Sequence, residues 1–254
     1  MNYVVASVVG VLFYKGDVIL TEIPQQPWFW GTLVLGFLFI VVFNLIAATA
    51  QKVGISVASV ATKMSLVIPV LFGVSVYNEE LGPLKVLGVL LALAAVYFVS
   101  VKNRSLSVQK SSLLLPISVF LGSGIVDTSI KYIQEIYMVE DDYPLFSAIV
   151  FASAAISGIV FLILKSAKTP VKVNSRNILG GIALGVPNYF SIYFLLKALQ
   201  SDILNSASIF TINNVAIVMF STLLGILLFK EKISTKNWGG IALAIVSIIL
   251  VAVF

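Results

Sequence analysis

Apolar runs of membrane-crossing length alternate with short polar clusters along the whole chain. A helix that spans a bilayer needs about 20 predominantly apolar residues, and nine stretches approach or reach that length. The first, at about residues 3–14, is short and extends toward Leu20 only past Lys15 and Asp17. Its flanks do not resemble a signal peptide with a cleavage site. The others are expected at about residues 28–50, 54–77, 83–101, 112–133, 143–164, 178–199, 203–229 and 238–254. Between them lie a turn at Pro24 and Pro27, an acidic loop (Glu135, Glu140, Asp141, Asp142) and a basic loop (Lys165, Lys168, Lys172, Arg176). The pattern predicts an all-α polytopic membrane protein with nine transmembrane helices.

Residues 56–99 recur about 152 positions later, without a gap, as residues 208–251. Leu71 falls on Leu223, Gly73 on Gly225, Glu79 on Glu231, Gly88 on Gly240, Ala92 on Ala244 and Val99 on Val251. With a three-residue gap the repeat extends back, setting Gly36 on Gly185 and Gln51 on Gln200. Helices two to four therefore match helices seven to nine, helix one matches six by order, and helix five has no partner. Two readings follow: a ten-helix inverted-repeat bundle lacking its first helix, or a nine-helix protein. The chain divides into an N-terminal repeat of four helices (residues 1–101), a linker (102–111) and a C-terminal repeat of five (112–254). Internal symmetry of this kind is a hallmark of secondary transporters.

Composition agrees. Hydrophobic residues make up 59% and charged residues 11%, and mean hydropathy is +1.08, whereas a soluble domain carries about 25% charged residues. The pI near 9.3 does not indicate nucleic acid, because the basic residues sit between the hydrophobic runs. They sort by side. Lys52, Lys102, Arg104, Lys110, Lys165, Lys168, Lys172, Arg176, Lys230, Lys232 and Lys236 collect on one side, against Lys15, Lys85, Lys131 and Lys197 on the other. The positive-inside rule places the first group in the cytoplasm, and the expected location is the cell's inner (plasma) membrane. Since the third and eighth helices then run in opposite directions, the repeats are inverted. With zero His and zero Cys there is no imidazole base and no thiol chemistry, and no catalytic, metal or cofactor site is expected.

Lys63 is the sharpest chemical signal. A lysine near the middle of a span costs about 2.5–3.5 kcal/mol on insertion scales, so it must face protein, water or a partner. It is expected to bind an anionic group or a proton, with a structural ion pair as the alternative. Its repeat partner is Val215, so the charge marks one half only. Asp127 and Lys131 lie four apart on one helix face; Asp127 can neutralise Lys63 or Lys131 or take up protons. Asn44, Asn188, Tyr189 and Asn214 are further candidates for holding a polar solute, although such groups also hold helices together. Pro69 and Pro187 are expected to interrupt helix hydrogen bonding. Glu79 and Glu231 read as caps on the helices that follow them, and Trp28, Trp30 and Trp238 as interface anchors.

An apolar helix, a short turn carrying glutamate and a glycine-containing final helix occur once per half, as LFGVSVYNEELGPLKVLGVLLALAAV and LLGILLFKEKISTKNWGGIALAIVSI. This arrangement, with LLKALQ at residues 195–200, resembles the EamA-like permeases of the drug/metabolite transporter superfamily. The resemblance covers nearly the whole chain. It implies two five-helix inverted repeats around a central cavity, and transport of amino acids, other metabolites or drugs. The small multidrug relatives use a glutamate in their first helix, and no span here carries one. The expectation is a secondary transporter of a small polar metabolite, such as an amino acid or organic anion. It would be partnered by its solute and the bilayer and act as a monomer or homodimer. A non-transporting assembly protein and a proton-coupled drug exporter are the alternatives. An enzyme is not expected.

Overall fold

Every regular element among the described residues is helical. A computed structural model describes residues 1–16, 21–100, 113–166, 174–201, 203–229 and 234–254. The linker at 102–111, Asp17, Lys168, Lys172, Lys230, Glu231, Lys232 and the Lys165 side chain lie outside what is described. The helices are α1 (Asn2–Phe13), α2 (Phe29–Lys52), α3 (Ile55–Met64), α4 (Val67–Tyr77), α5 (Pro83–Ser100), α6 (Leu114–Tyr137), α7 (Tyr143–Ser166), α8 (Ser175–Gln200), α9 (Ser206–Phe229) and α10 (Thr235–Val253). Among the described residues seven spans are long and apolar enough to cross a membrane, with α3 and α4 forming one span; α1 and α5 are shorter apolar helices. Large apolar side chains such as Leu71, Ile156, Phe220 and Leu227 are exposed along these helices. Outward apolar surface on this scale suits lipid rather than water.

Local chemistry sets the helix ends. Tyr14 is extended (ψ 124°) and closes α1 at Phe13, well short of Leu20. Ser234 and Asn237 form a reciprocal cap at the start of α10: Asn237 N donates to Ser234 Oγ at 3.3 Å and Ser234 N to Asn237 Oδ1 at 3.0 Å. The expected third span is two helices. Pro69 has no N–H to give the Ser65 carbonyl, and that carbonyl instead accepts from Ile68 N at 2.9 Å. The ladder shifts register there, and α3 ends at Met64 before α4 starts at Val67. Pro187 acts differently, since α8 runs continuously through it.

Two compact units form, and neither follows the repeat boundaries. The first takes Met1–Val41 and Ser129–Ser201; the second takes Val42–Thr128 and Asp202–Phe254. Each draws helices from both repeats, and α2 and α6 contribute to both units.

In the first unit α1 packs against α7 and α8, and glycines set the approach. A Cβ on Gly36 of α2 would lie 2.6 Å from Ala154 N of α7, and one on Gly185 of α8 would lie 2.5 Å from Val5 Cβ of α1. Gly36 and Gly185 are repeat counterparts, and so by order are α7 and α1, so the two contacts mirror each other. Trp28 is 1% exposed and meets Phe146 edge-on at 5.8 Å. It is therefore a core residue of this unit and not an interface anchor, whereas Trp30 and Trp238 are exposed.

In the second unit α5 and α10 run antiparallel and form the most extensive pairing. A Cβ on Gly88 would lie 2.7 Å from Val251 Cγ1, and one on Gly240 would lie 2.8 Å from Val99 Cγ2. Gly88 and Gly240 are repeat counterparts, as are Val99 and Val251. The contact is thus reciprocal, as across a two-fold axis. Ser247 Oγ donates to Gly88 O at 2.8 Å, and Asn237 Nδ2 to Phe98 O at 2.8 Å and Val99 O at 3.0 Å. The counterparts Ala92 and Ala244 share one buried cluster with Val215. Small residues let backbones approach closely where lipid leaves little hydrophobic drive for helix pairing.

Candidate functional site

The break between α3 and α4 positions the charge singled out above. Lys63 lies in the last turn of α3, and its own carbonyl accepts from Leu66 N at 3.4 Å. Ser65 Oγ donates to Thr62 O at 2.6 Å, and Thr62 Oγ1 to Ala58 O at 2.8 Å, so these hydroxyls serve the backbone around the break. A helix C-terminus favours a cation, and the N-terminus of α4, three residues on, favours an anion. The interruption therefore brings a lysine and a positive helix end into one place.

Asp127 of α6 lies in the same unit as Lys63. Its carboxylate and the Lys63 ammonium are the opposite charges that act on each other across the helices. Both residues are partly buried. Gly124, one turn before Asp127, admits α4: a Cβ there would lie 2.7 Å from Ile68 Cβ. Ser123, four residues before Asp127 and on the same face, is 7% exposed. Its Oγ and that of Thr128 are buried without a hydrogen-bond partner among the described residues. Buried polar atoms ordinarily find partners. The two hydroxyls lie within four residues of Asp127 on α6, and a polar solute or water can complete them. The repeat counterpart of Lys63 has no such surroundings, since Val215 is 1% exposed in the α5–α10 core.

The other candidates divide between the units. Asn214 also lies in the second unit; it is 5% exposed, and its Nδ2 donates to Phe210 O at 3.0 Å, one turn back on its own helix. Asn44 is exposed on α2 in that unit. Asn188 and Tyr189 belong to the first unit. Asn188 Nδ2 donates to Asn2 Oδ1 at 3.3 Å, joining α8 to α1. Tyr189 is fully buried, stacks on Tyr193 at 5.9 Å, and its hydroxyl has no partner among the described residues. Lys131 enters a network at the end of α6. It pairs with Glu135 Oε2 at 2.7 Å and donates to Gln134 Oε1 at 3.4 Å, while Gln134 Nε2 donates to Tyr143 Oη at 3.3 Å. That network ties α6 to the start of α7.

Glu79 does what its sequence position does not suggest. It caps α9 rather than the helix that follows it. Ser206 N and Oγ donate to Oε1 at 3.2 and 2.5 Å, and Ala207 N to Oε2 at 3.4 Å. Asn78, in the left-handed region (φ 52°, ψ 35°), ends α4 and turns the carboxylate toward α9. A cavity in the first unit was also missed. Lys15, Glu140, Asp141 and Lys197 gather around it, and the side-by-side charge count was the available signal, because all four fall on the side opposite the basic loops.

The sequence profile of the EamA-like transporter family matches residues 1–101 and 111–253. A Haemophilus influenzae protein described as an uncharacterized protein is 30% identical over 256 residues, covering 97% of this chain and 84% of its own. A protein of solved crystal structure superposes with a TM-score of 0.75 at 16% identity, over 99% of this chain and 86% of that one, and so shares the fold.

Proposed function

Since the chain belongs to the EamA-like transporter family, whose members are multi-pass membrane transporters rather than enzymes, we propose that it is a secondary transporter of a small, carboxylate-bearing metabolite. It resides in the inner membrane, with the eleven-residue basic side in the cytoplasm, and works by alternating access of its two repeats. The observation that carries this reading is Lys63 at the α3–α4 break with Asp127 across from it.

The mechanism follows from charge balance. With Asp127 ionised, Lys63 is already neutralised and an anionic solute has nothing to gain there. Protonating the Asp127 carboxylate releases Lys63, whose ammonium then takes the solute carboxylate. One proton and one carboxylate thus load together, and the net charge of the site is unchanged. Asn214 and Asn44, in the same unit as Lys63, supply hydrogen bonds to the rest of the solute.

The test is flux of amino acids and organic anions in proteoliposomes, with and without a pH gradient. A charge-assisted hydrogen bond is worth about 1.5–3 kcal/mol, so Lys63→Ala should lower flux about 10- to 150-fold and Lys63→Arg should restore part of it. Asp127→Asn should keep solute exchange and lose the response to the pH gradient. Flux that Lys63→Ala leaves untouched removes this site from the mechanism.

A further inference from the structure

Where α1 ends, α7 begins and α8 ends, the first unit holds a cavity of about 460 Å³. That lies within the range of small-molecule sites, about 300–1,000 Å³. Two cations, Lys15 and Lys197, and two anions, Glu140 and Asp141, line it, and Phe13, Tyr193 and Pro144 form its apolar wall. The charges are not equivalent. Lys197 Nζ pairs with Glu140 Oε1 at 3.1 Å and sits 5.5 Å from the centre of the Tyr193 ring. Lys15 and Asp141 form no ion pair with a described residue. After internal pairing the cavity therefore offers one ammonium and one carboxylate, with no net charge. A lone anion or a lone cation gains one contact there and meets one repulsion. A solute carrying both charges on a small frame gains two.

We infer that this cavity is a recognition site for a zwitterionic solute at the non-cytoplasmic mouth of the protein, separate from the Lys63 site. Lys15 takes the carboxylate, Asp141 takes the ammonium, and Phe13, Tyr193 and Pro144 cover the apolar part. The stacked pair Tyr193–Tyr189 runs from this wall one turn along α8 to the buried Tyr189 hydroxyl and to Asn188. A solute leaving the mouth meets those groups next. The site's purpose rests on the transport reading, whereas its occupancy does not.

The experiment is scintillation-proximity binding of tritiated phenylalanine to the purified full chain in nanodiscs. Phenylalanine methyl ester, which keeps the ammonium alone, and 3-phenylpropanoate, which keeps the carboxylate alone, serve as competitors. Exposed ion pairs are weak, up to about 1 kcal/mol, so each analogue should compete about fivefold less well than phenylalanine. Lys15→Gln should weaken phenylalanine about fivefold without weakening the ester, which loses only a repulsion, while Asp141→Asn should weaken phenylalanine without weakening 3-phenylpropanoate. Both side chains are exposed, so neither change threatens folding. The inference is overturned by no binding of phenylalanine, by either analogue competing as well as phenylalanine itself, or by indifference to both mouth variants. Mouth binding without flux of any solute would count against the transport reading alone. Flux without the charge dependence would count against the mouth site alone.

Discussion

Glu79 and Lys63 are single residues whose roles come from helix ends rather than from their own helices. The Glu79 carboxylate accepts three hydrogen bonds at the start of α9, where the first N–H groups have no partner within the helix. Losing an N-terminal cap costs about 0.5–2 kcal/mol. Glu79→Ala should therefore lower the thermal midpoint of the detergent-solubilised protein, read by size-exclusion survival after heating. Glu80→Ala should not, because the Glu80 side chain is exposed and only its carbonyl is used, by Asn205 Nδ2. Equal midpoints for the two variants would mean that the cap contributes nothing. Gly73 belongs to the same device, since a Cβ there would crowd Ser206 Oγ at 2.9 Å and Glu79 Oε2 at 3.0 Å. Lys63 lies at the opposite kind of helix end, the C-terminus of α3, where a cation is favoured.

Among the elements, α5 and α10 show how glycine position decides packing. Gly239 and Gly240 are neighbours on α10 with opposite surroundings. A Cβ on Gly240 would meet Val99 Cγ2 at 2.8 Å and Val99 N at 2.9 Å, whereas one on Gly239 meets nothing within 4 Å. The Val99 nitrogen is backbone and cannot step aside. Gly240→Ala should then destabilise by about 1–3 kcal/mol through overpacking. Gly239→Ala should be neutral or stabilise by up to about 1 kcal/mol, the helix propensity difference. Urea or heat unfolding of the two variants side by side reads the contrast, and an equal response would show that α5 and α10 do not meet at Gly240. The α3–α4 break is the other element-scale feature. It follows from one proline, whereas Pro187 leaves α8 intact, so a proline in the sequence marks a site of interruption without stating its depth.

For the whole molecule, the compact units and the sequence repeats cut the chain differently. Residues 1–101 contain α5 but not α10, and the buried face of α5 (Ala92, Ala95 and Val96, each at most 1% exposed) packs against helices of the second repeat. Neither repeat closes its own surface. Residues 1–101 and 111–254 produced as separate chains in one cell should therefore co-purify through a tag on either one. Each produced alone should be degraded. A lone repeat that accumulates and remains monodisperse would show that the interleaved packing is dispensable. The same interleaving explains why the reciprocal contacts Gly88–Val251 and Gly240–Val99 link opposite repeats and not the two ends of one.

The helix count, the helical class, the repeat and the family were legible in the sequence because each depends on composition and periodicity, which the bilayer reads directly. Among the described residues seven spans reappear with two shorter apolar helices, close to the nine stretches expected, because about 20 apolar residues in a row have few alternatives in lipid. Lys63 stood out for the same reason, since a charge among apolar residues is visible without coordinates. Its partner was not visible. Asp127 stood equally open to Lys63 and to Lys131 four residues on, and only the fold gave Lys131 its ties to Glu135 and Gln134 and left Lys63 as the opposite charge that acts on Asp127. Glu79 went to α9, 127 residues away, and Trp28 went to the core. The mouth cavity took one cation from the end of α1, another from the end of α8 and its acids from the start of α7. Partners this far apart in the chain meet through helix packing, and a hydrophobic pattern records which faces are apolar without recording which face meets which.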